Sequence, residues 1–155
     1  MGLQLSSASL AIRVVSGAVL AGVTFIVFYY VPANLAGLVS RFLPSGSTTA
    51  VSSVASALVG PILPVIGLAL TVLVFLATVL RGSSPYGMIL VITGLLFVDY
   101  TYIIMQGGTI GIDLPGGLPQ GASGNISIDA GLLMLILLIP SLLTVVKGVL
   151  LLMAR

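Results

Sequence analysis

The chain reads as four long apolar runs separated by stretches rich in glycine, proline and serine. The first run covers residues 14–31, VVSGAVLAGVTFIVFYYV, and stops at Pro32. About 20 apolar residues cross a bilayer as a helix, and Leu10 to Ile12 lengthen this run if Arg13 lays its stem along the apolar surface. A secretory signal peptide also places a cation before an apolar run, but its apolar core is only about 7–15 residues long. A retained helix over residues 12–31 is therefore expected. The second run covers residues 54–80, with Gly60, Pro61 and Pro64 near its start. Proline removes a backbone donor and predicts a kink or break there. If that segment does not cross, an odd number of spans results.

The third run covers residues 86–105 and follows the connection Arg81-Gly82-Ser83-Ser84-Pro85. So short a link forces the helices on either side to be antiparallel neighbours. Ser83 or Ser84 is expected to cap the third helix, with Pro85 in its first turn. The fourth run covers residues 129–152. Asp129 suits its N-terminus, where a carboxylate meets unpaired amides and the positive end of the helix dipole. Pro140 in mid-run predicts a bend.

The intervening stretches are expected to lie outside the hydrocarbon. Residues 32–52 read as a loop, with Leu35 to Leu43 as a short amphipathic turn along the interface. Residues 106–127, QGGTIGIDLPGGLPQGASGNIS, are dense in glycine and proline and predict irregular backbone. The resulting expectation is a single transmembrane domain over residues 1–155, an all-α integral membrane protein. Its four transmembrane helices form two antiparallel hairpins with a short cytoplasmic connection and a Gly/Pro-rich outer loop. A shift of 70 residues aligns Gly17 with Gly87, Leu20 with Leu90 and Tyr30 with Tyr100, but the second helices of the halves do not match, so duplication is not established.

Composition strengthens the membrane reading. The 155 residues are 59% hydrophobic and 5% charged, against about 25% charged in soluble domains. So few charges cannot cover a water-facing surface. Five cations against three aspartates are scattered along the chain, which is no nucleic-acid footprint. With both termini in the cytoplasm, Arg13, Arg81 and Arg155 fall inside, Lys147 reaches the same side, and only Arg41 falls outside, as the positive-inside rule prefers. The outer loop then carries the sequon Asn125-Ile126-Ser127, a weak signal for glycosylation at Asn125.

Chemistry is thinly represented. There are no cysteines and no histidines. Disulfides, Cys/His zinc sites, haem with a His or Cys ligand, and Ser-His-Asp catalysis are therefore excluded within the chain. The glycine clusters near Gly107 and Gly116 lack the lysine and the strand-to-helix context of a phosphate loop. No cofactor or enzymatic role is expected. An aspartate pair of Asp99 with Asp113 or Asp129 is geometrically conceivable, though no spacing requires it.

Asp99 is the residue that stands out. It lies within the third apolar run, about 20 Å from Tyr86 at 1.5 Å per residue. An intramembrane carboxylate is costly and should face protein with a partner. Tyr100, Thr101, Tyr102 and Arg41 could supply that contact, and a structural polar contact is the favoured reading over proton or cation handling. Tyr29, Tyr30, Tyr100 and Tyr102 together suggest an interfacial aromatic belt rather than a quinone or lipid pocket. Gly17 and Ala21, Ala18 and Gly22, and Gly60 and Gly67 offer small surfaces for close helix packing.

The expected partners are the lipid bilayer and other membrane subunits or copies of the chain. The function most consistent with these features is a small non-catalytic structural or accessory subunit of a larger membrane assembly. The alternatives are a self-assembling viral or cell-surface envelope protein, and an oligomeric channel or transporter using Asp99. Gly60, Pro61 and Pro64 would supply the broken helix of such a transporter, but its polar lining is thin.

Overall fold

The computed structural model describes residues 7–41, 60–114 and 124–154. The chain enters as helix α1 (Ser7–Phe25), which passes without interruption into a π turn (Ile26–Tyr30), then α2 (Val31–Ala33) and α3 (Leu35–Ser40). Helices α4 (Ile62–Val79) and α5 (Tyr86–Ile104) follow, then a 3₁₀ turn (Gln106–Gly108), strands β1 (Thr109–Leu114) and β2 (Gly124–Asp129), and α6 (Gly131–Met153).

Among the described residues, four helices are long and apolar enough to cross a membrane: Ser9–Ala33, Ile62–Val79, Tyr86–Ile104 and Gly131–Met153. Their surfaces fit an integral membrane protein. Leu132, Leu133, Leu135, Ile139, Leu142 and Leu143 of α6 are all exposed, a face that water would not tolerate and lipid solvates. The buried core is small and centres on Leu63, Leu70 and Tyr100, with Phe28, Ile66 and Phe97 against it.

Proline plays a different part from the one expected in two places. Pro61 takes the N-cap position of α4 and Pro64 falls in its first turn, where the missing N–H has no intrahelical partner to lose. These residues start the helix instead of breaking it. Residues 54–59 of the expected run lie outside the described residues, as does the loop from residue 42 onward.

In the first span the helix does not stop at Pro32. A proline ring clashes with the carbonyl four residues back and offers it no N–H. The π turn absorbs that conflict, with the Val31 amide reaching back to the Ile26 carbonyl, and Pro32 is buried inside the continuing helix. Helix α6 likewise runs on through Pro140.

The expected irregular stretch after α5 is instead partly ordered as an antiparallel ribbon. Thr109 pairs with Asp129 and Leu114 with Gly124. The reason is local: Thr109-Ile110-Gly111-Ile112 and Asn125-Ile126-Ser127-Ile128 alternate β-branched isoleucine with small or polar residues, a strand pattern. The chain turns from α5 into this ribbon through Gly107 and Gly108, whose φ values of 72° and 99° suit glycine. The Ala130 amide donates to the Gly108 carbonyl at 2.8 Å, tying the start of α6 to the end of α5.

At the opposite, short-loop end, the cap expectation is corrected. Pro85 occupies the N-cap of α5, and the Ser83 hydroxyl donates backwards to the Leu80 carbonyl. Arg13 donates from Nη1 to the Arg81 carbonyl at 2.5 Å, satisfying an acceptor beyond the end of α4. Asp129 does meet the start of α6 as expected: its Oδ1 accepts the Gly131 amide at 2.9 Å.

Helix α1 packs along α4, and α5 packs along α6 and more lightly on α4. The α5–α6 contact is backbone-close. A Cβ on Gly87 would lie 3.0 Å from the Gly148 carbonyl, and one on Gly94 would lie 3.0 Å from the Ser141 carbonyl. Gly87 and Gly94 are seven residues apart, as are Ser141 and Gly148, so two small positions per helix meet in antiparallel register.

Candidate functional site

A cavity of about 490 Å³ lies near the ribbon end of the bundle, between the π turn and α2 on one side and α5 and α6 on the other. Its origin begins with Pro32. The Phe28 carbonyl, four residues earlier, has no α-helical donor at that position. Tyr100 of α5 turns inward and donates its hydroxyl to this carbonyl at 3.4 Å, a long bond by ordinary O–H···O geometry. The Phe28 ring meets Tyr100 and Phe97 edge-on, with centroids 5.0 and 5.1 Å apart, an arrangement aromatic quadrupoles favour.

Gly67 of α4 allows the backbones to come together on the far side of Phe28. A Cβ there would overlap the Phe28 carbonyl oxygen, so no side chain could occupy the position. The π turn is thus pressed against α4, and the space it leaves towards α6 is the cavity. Phe97, Ile104, Leu137 and Val27 give it an apolar wall.

Four hydroxyls also line it. Thr101 donates to the Phe97 carbonyl and Thr144 to the Pro140 carbonyl, both at 2.8 Å, while Tyr100 is held by Phe28. Ser141 is only 7% exposed; no hydrogen bond joins its hydroxyl to the described residues, and no fully enclosed side-chain polar atom among them lacks a partner, so its oxygen opens onto the cavity. It lines the cavity as an unpartnered polar group.

The contact set expected around Asp99 is not assembled. Tyr100 and Thr101 are buried, whereas Asp99 is exposed and Tyr102 is 58% exposed. Among the described residues no ion pair joins Arg41 to Asp99; Arg41 is exposed just past α3. Within the single chain Asp99 therefore lies on the exposed face of α5. Consecutive helical residues point about 100° apart, so neighbours in sequence diverge. Gly87, Gly94 and Thr101, seven apart, share the inner face. Met88, Ile92, Leu95, Asp99 and Tyr102 share the exposed one. That stripe, at spacings of four and three, was the sequence signal that could have located Asp99.

The other expected positions divide similarly. Tyr30 is exposed and Tyr29 stacks on Phe25 with centroids 4.8 Å apart, but Tyr100 is a core residue and not part of an interfacial belt. Gly17 packs on Phe75 and Thr78, while Gly22 and Gly60 have nothing within 4 Å of a Cβ. Asn125 lies in β2 opposite Asp113 in β1. The chain matches no protein-family model, no curated protein and no solved structure.

Proposed function

We propose that the chain is a small non-catalytic subunit of a larger membrane assembly and docks through the exposed stripe of α5. The observation that carries this reading is Asp99, exposed on an otherwise apolar helix face. It lies five residues from Ile104, about 7.5 Å inside the end of the helix. A carboxylate facing lipid is unfavourable, by about 2.5–3.5 kcal/mol at the centre of a span and less towards its edge. A neighbouring helix bearing a cation or hydrogen-bond donor removes that cost and covers Met88, Ile92 and Leu95 at the same time.

A twofold contact along this stripe would set Asp99 near its own copy, and like charges repel. That favours a different protein as partner over a second copy. In the proposed layout the four spans form two antiparallel hairpins, both termini are cytoplasmic, and the ribbon, Arg41 and Asn125 face outward, in keeping with the positive-inside rule.

The absence of cysteine from the chain makes the test direct. A single Leu95→Cys variant in native membranes is expected to cross-link to a distinct membrane protein. Asp99→Leu should lower co-purification of that same protein at least about tenfold, the scale of 1.4 kcal/mol, while leaving the isolated chain's melting temperature in detergent unchanged. Recovery of a lone monomer, or a partner indifferent to Asp99→Leu, defeats the proposal. A cross-linked homodimer favours the self-assembling alternative.

A further inference from the structure

We infer that the cavity between the π turn, α5 and α6 binds an elongated, uncharged hydrocarbon carrying one carbonyl or hydroxyl oxygen, seated with that oxygen at Ser141. The volume of about 490 Å³ falls within the roughly 300–1,000 Å³ of small-molecule sites. The lining is aliphatic and aromatic apart from four hydroxyls, and three of these are already committed to carbonyls of the chain. Charge has nothing to recognise it here, because among the described residues no Asp, Glu, Lys or Arg lines the cavity.

Water is a poor occupant. It needs about two to four polar partners, and the cavity offers one hydroxyl without an internal bond. Hydrocarbon suits the walls, and the nine-tenths-buried Ser141 supplies one hydrogen bond for an oxygen in an otherwise apolar molecule.

Depth narrows the class further. Ser141 is ten residues into α6 from Gly131, about 15 Å along the helix, half the thickness of a roughly 30 Å hydrocarbon core. A phospholipid keeps its ester oxygens at the interface and cannot present one at this level. A molecule dissolved in the membrane, such as a long-chain alcohol or ketone, can. This inference uses a different surface from the Asp99 stripe and stands or falls separately from the proposed docking.

The test uses the full chain in phosphatidylcholine nanodiscs with two photoreactive probes: a long-chain alcohol bearing a diazirine, and a phosphatidylcholine bearing the same group in its acyl chain. The alcohol is expected to label peptides containing Phe97–Ile104 and Leu137–Thr144, saturably and in preference to the phospholipid. Ser141→Ala should weaken its half-saturation about fivefold, the loss of one hydrogen bond worth about 1 kcal/mol, with melting temperature retained. Thr144→Phe, which fills the cavity, should abolish labelling there. Equal labelling by both probes that ignores Ser141→Ala would mean ordinary acyl chains fill the space, and would overturn the inference. So would no labelling of these segments by the alcohol.

Discussion

Two contacts of α5 show how differently helices meet within one small bundle. Towards α6 it presents Gly87 and Gly94 to Gly148 and the Ser141 backbone, and the two backbones nearly touch. Towards the first span it presents Phe97 and Tyr100 to Phe28, and aromatic rings hold the helices apart beside a cavity. In lipid there is little hydrophobic drive between helices, so packing and hydrogen bonds decide association. Small residues at a spacing of seven make a closed seam. A proline-induced π turn with rings beside it makes an open one.

The strongest way to break this contrast is Gly67→Ala. Its new methyl would overlap the Phe28 carbonyl oxygen, and backbone cannot rotate away as a side chain can. A loss of about 3 kcal/mol, the upper end of ordinary overpacking, is expected in thermal unfolding in detergent. It should reach the cavity as well, because the π turn is displaced from α4. The closed seam should respond more mildly to Gly148→Ala. Its Cβ would lie 2.8 Å from the Gly87 carbonyl, 2.9 Å from the Val91 amide nitrogen and 2.7 Å from Val91 Cγ2, a smaller overlap than at Gly67 that a small separation of the two helices relieves. About 1–2 kcal/mol is expected from the same measurement. Tyr100→Phe is the finest probe. It keeps the ring contacts with Phe28 and removes only a 3.4 Å hydrogen bond, so about 0.5 kcal/mol is expected. A larger loss would show the hydroxyl to be the main tie between the open pair.

Much of the architecture was legible because lipid imposes a simple rule on length and polarity. Residues 86–105 and 129–152 anticipate α5 and α6 to within two residues at either end. Asp129 was readable as a residue at the start of α6 because its carboxylate bonds an amide only two residues on, a contact set by local sequence. The ribbon was hidden by composition: the glycine and proline of the sequence over 115–123 drew attention from the isoleucine alternation flanking them. The exposure of Asp99 was obscured by a plausible energetic expectation, that a charge turns inward. The helical phase set by Gly87, Gly94 and Thr101 overrides it within the single chain. The cavity was not legible at all, since it depends on three segments meeting near Pro32, and no one of them signals it.

The π turn also changes how the first span must be aligned. Its inward positions advance from Gly17 to Thr24 by seven, and the next in that series would be Val31, which is exposed; the buried residue is Pro32. The turn has thus taken in one extra residue, and the two ends of the span keep separate rotational settings. A comparison that forbids gaps inside membrane helices would assign every residue beyond the turn to the wrong face.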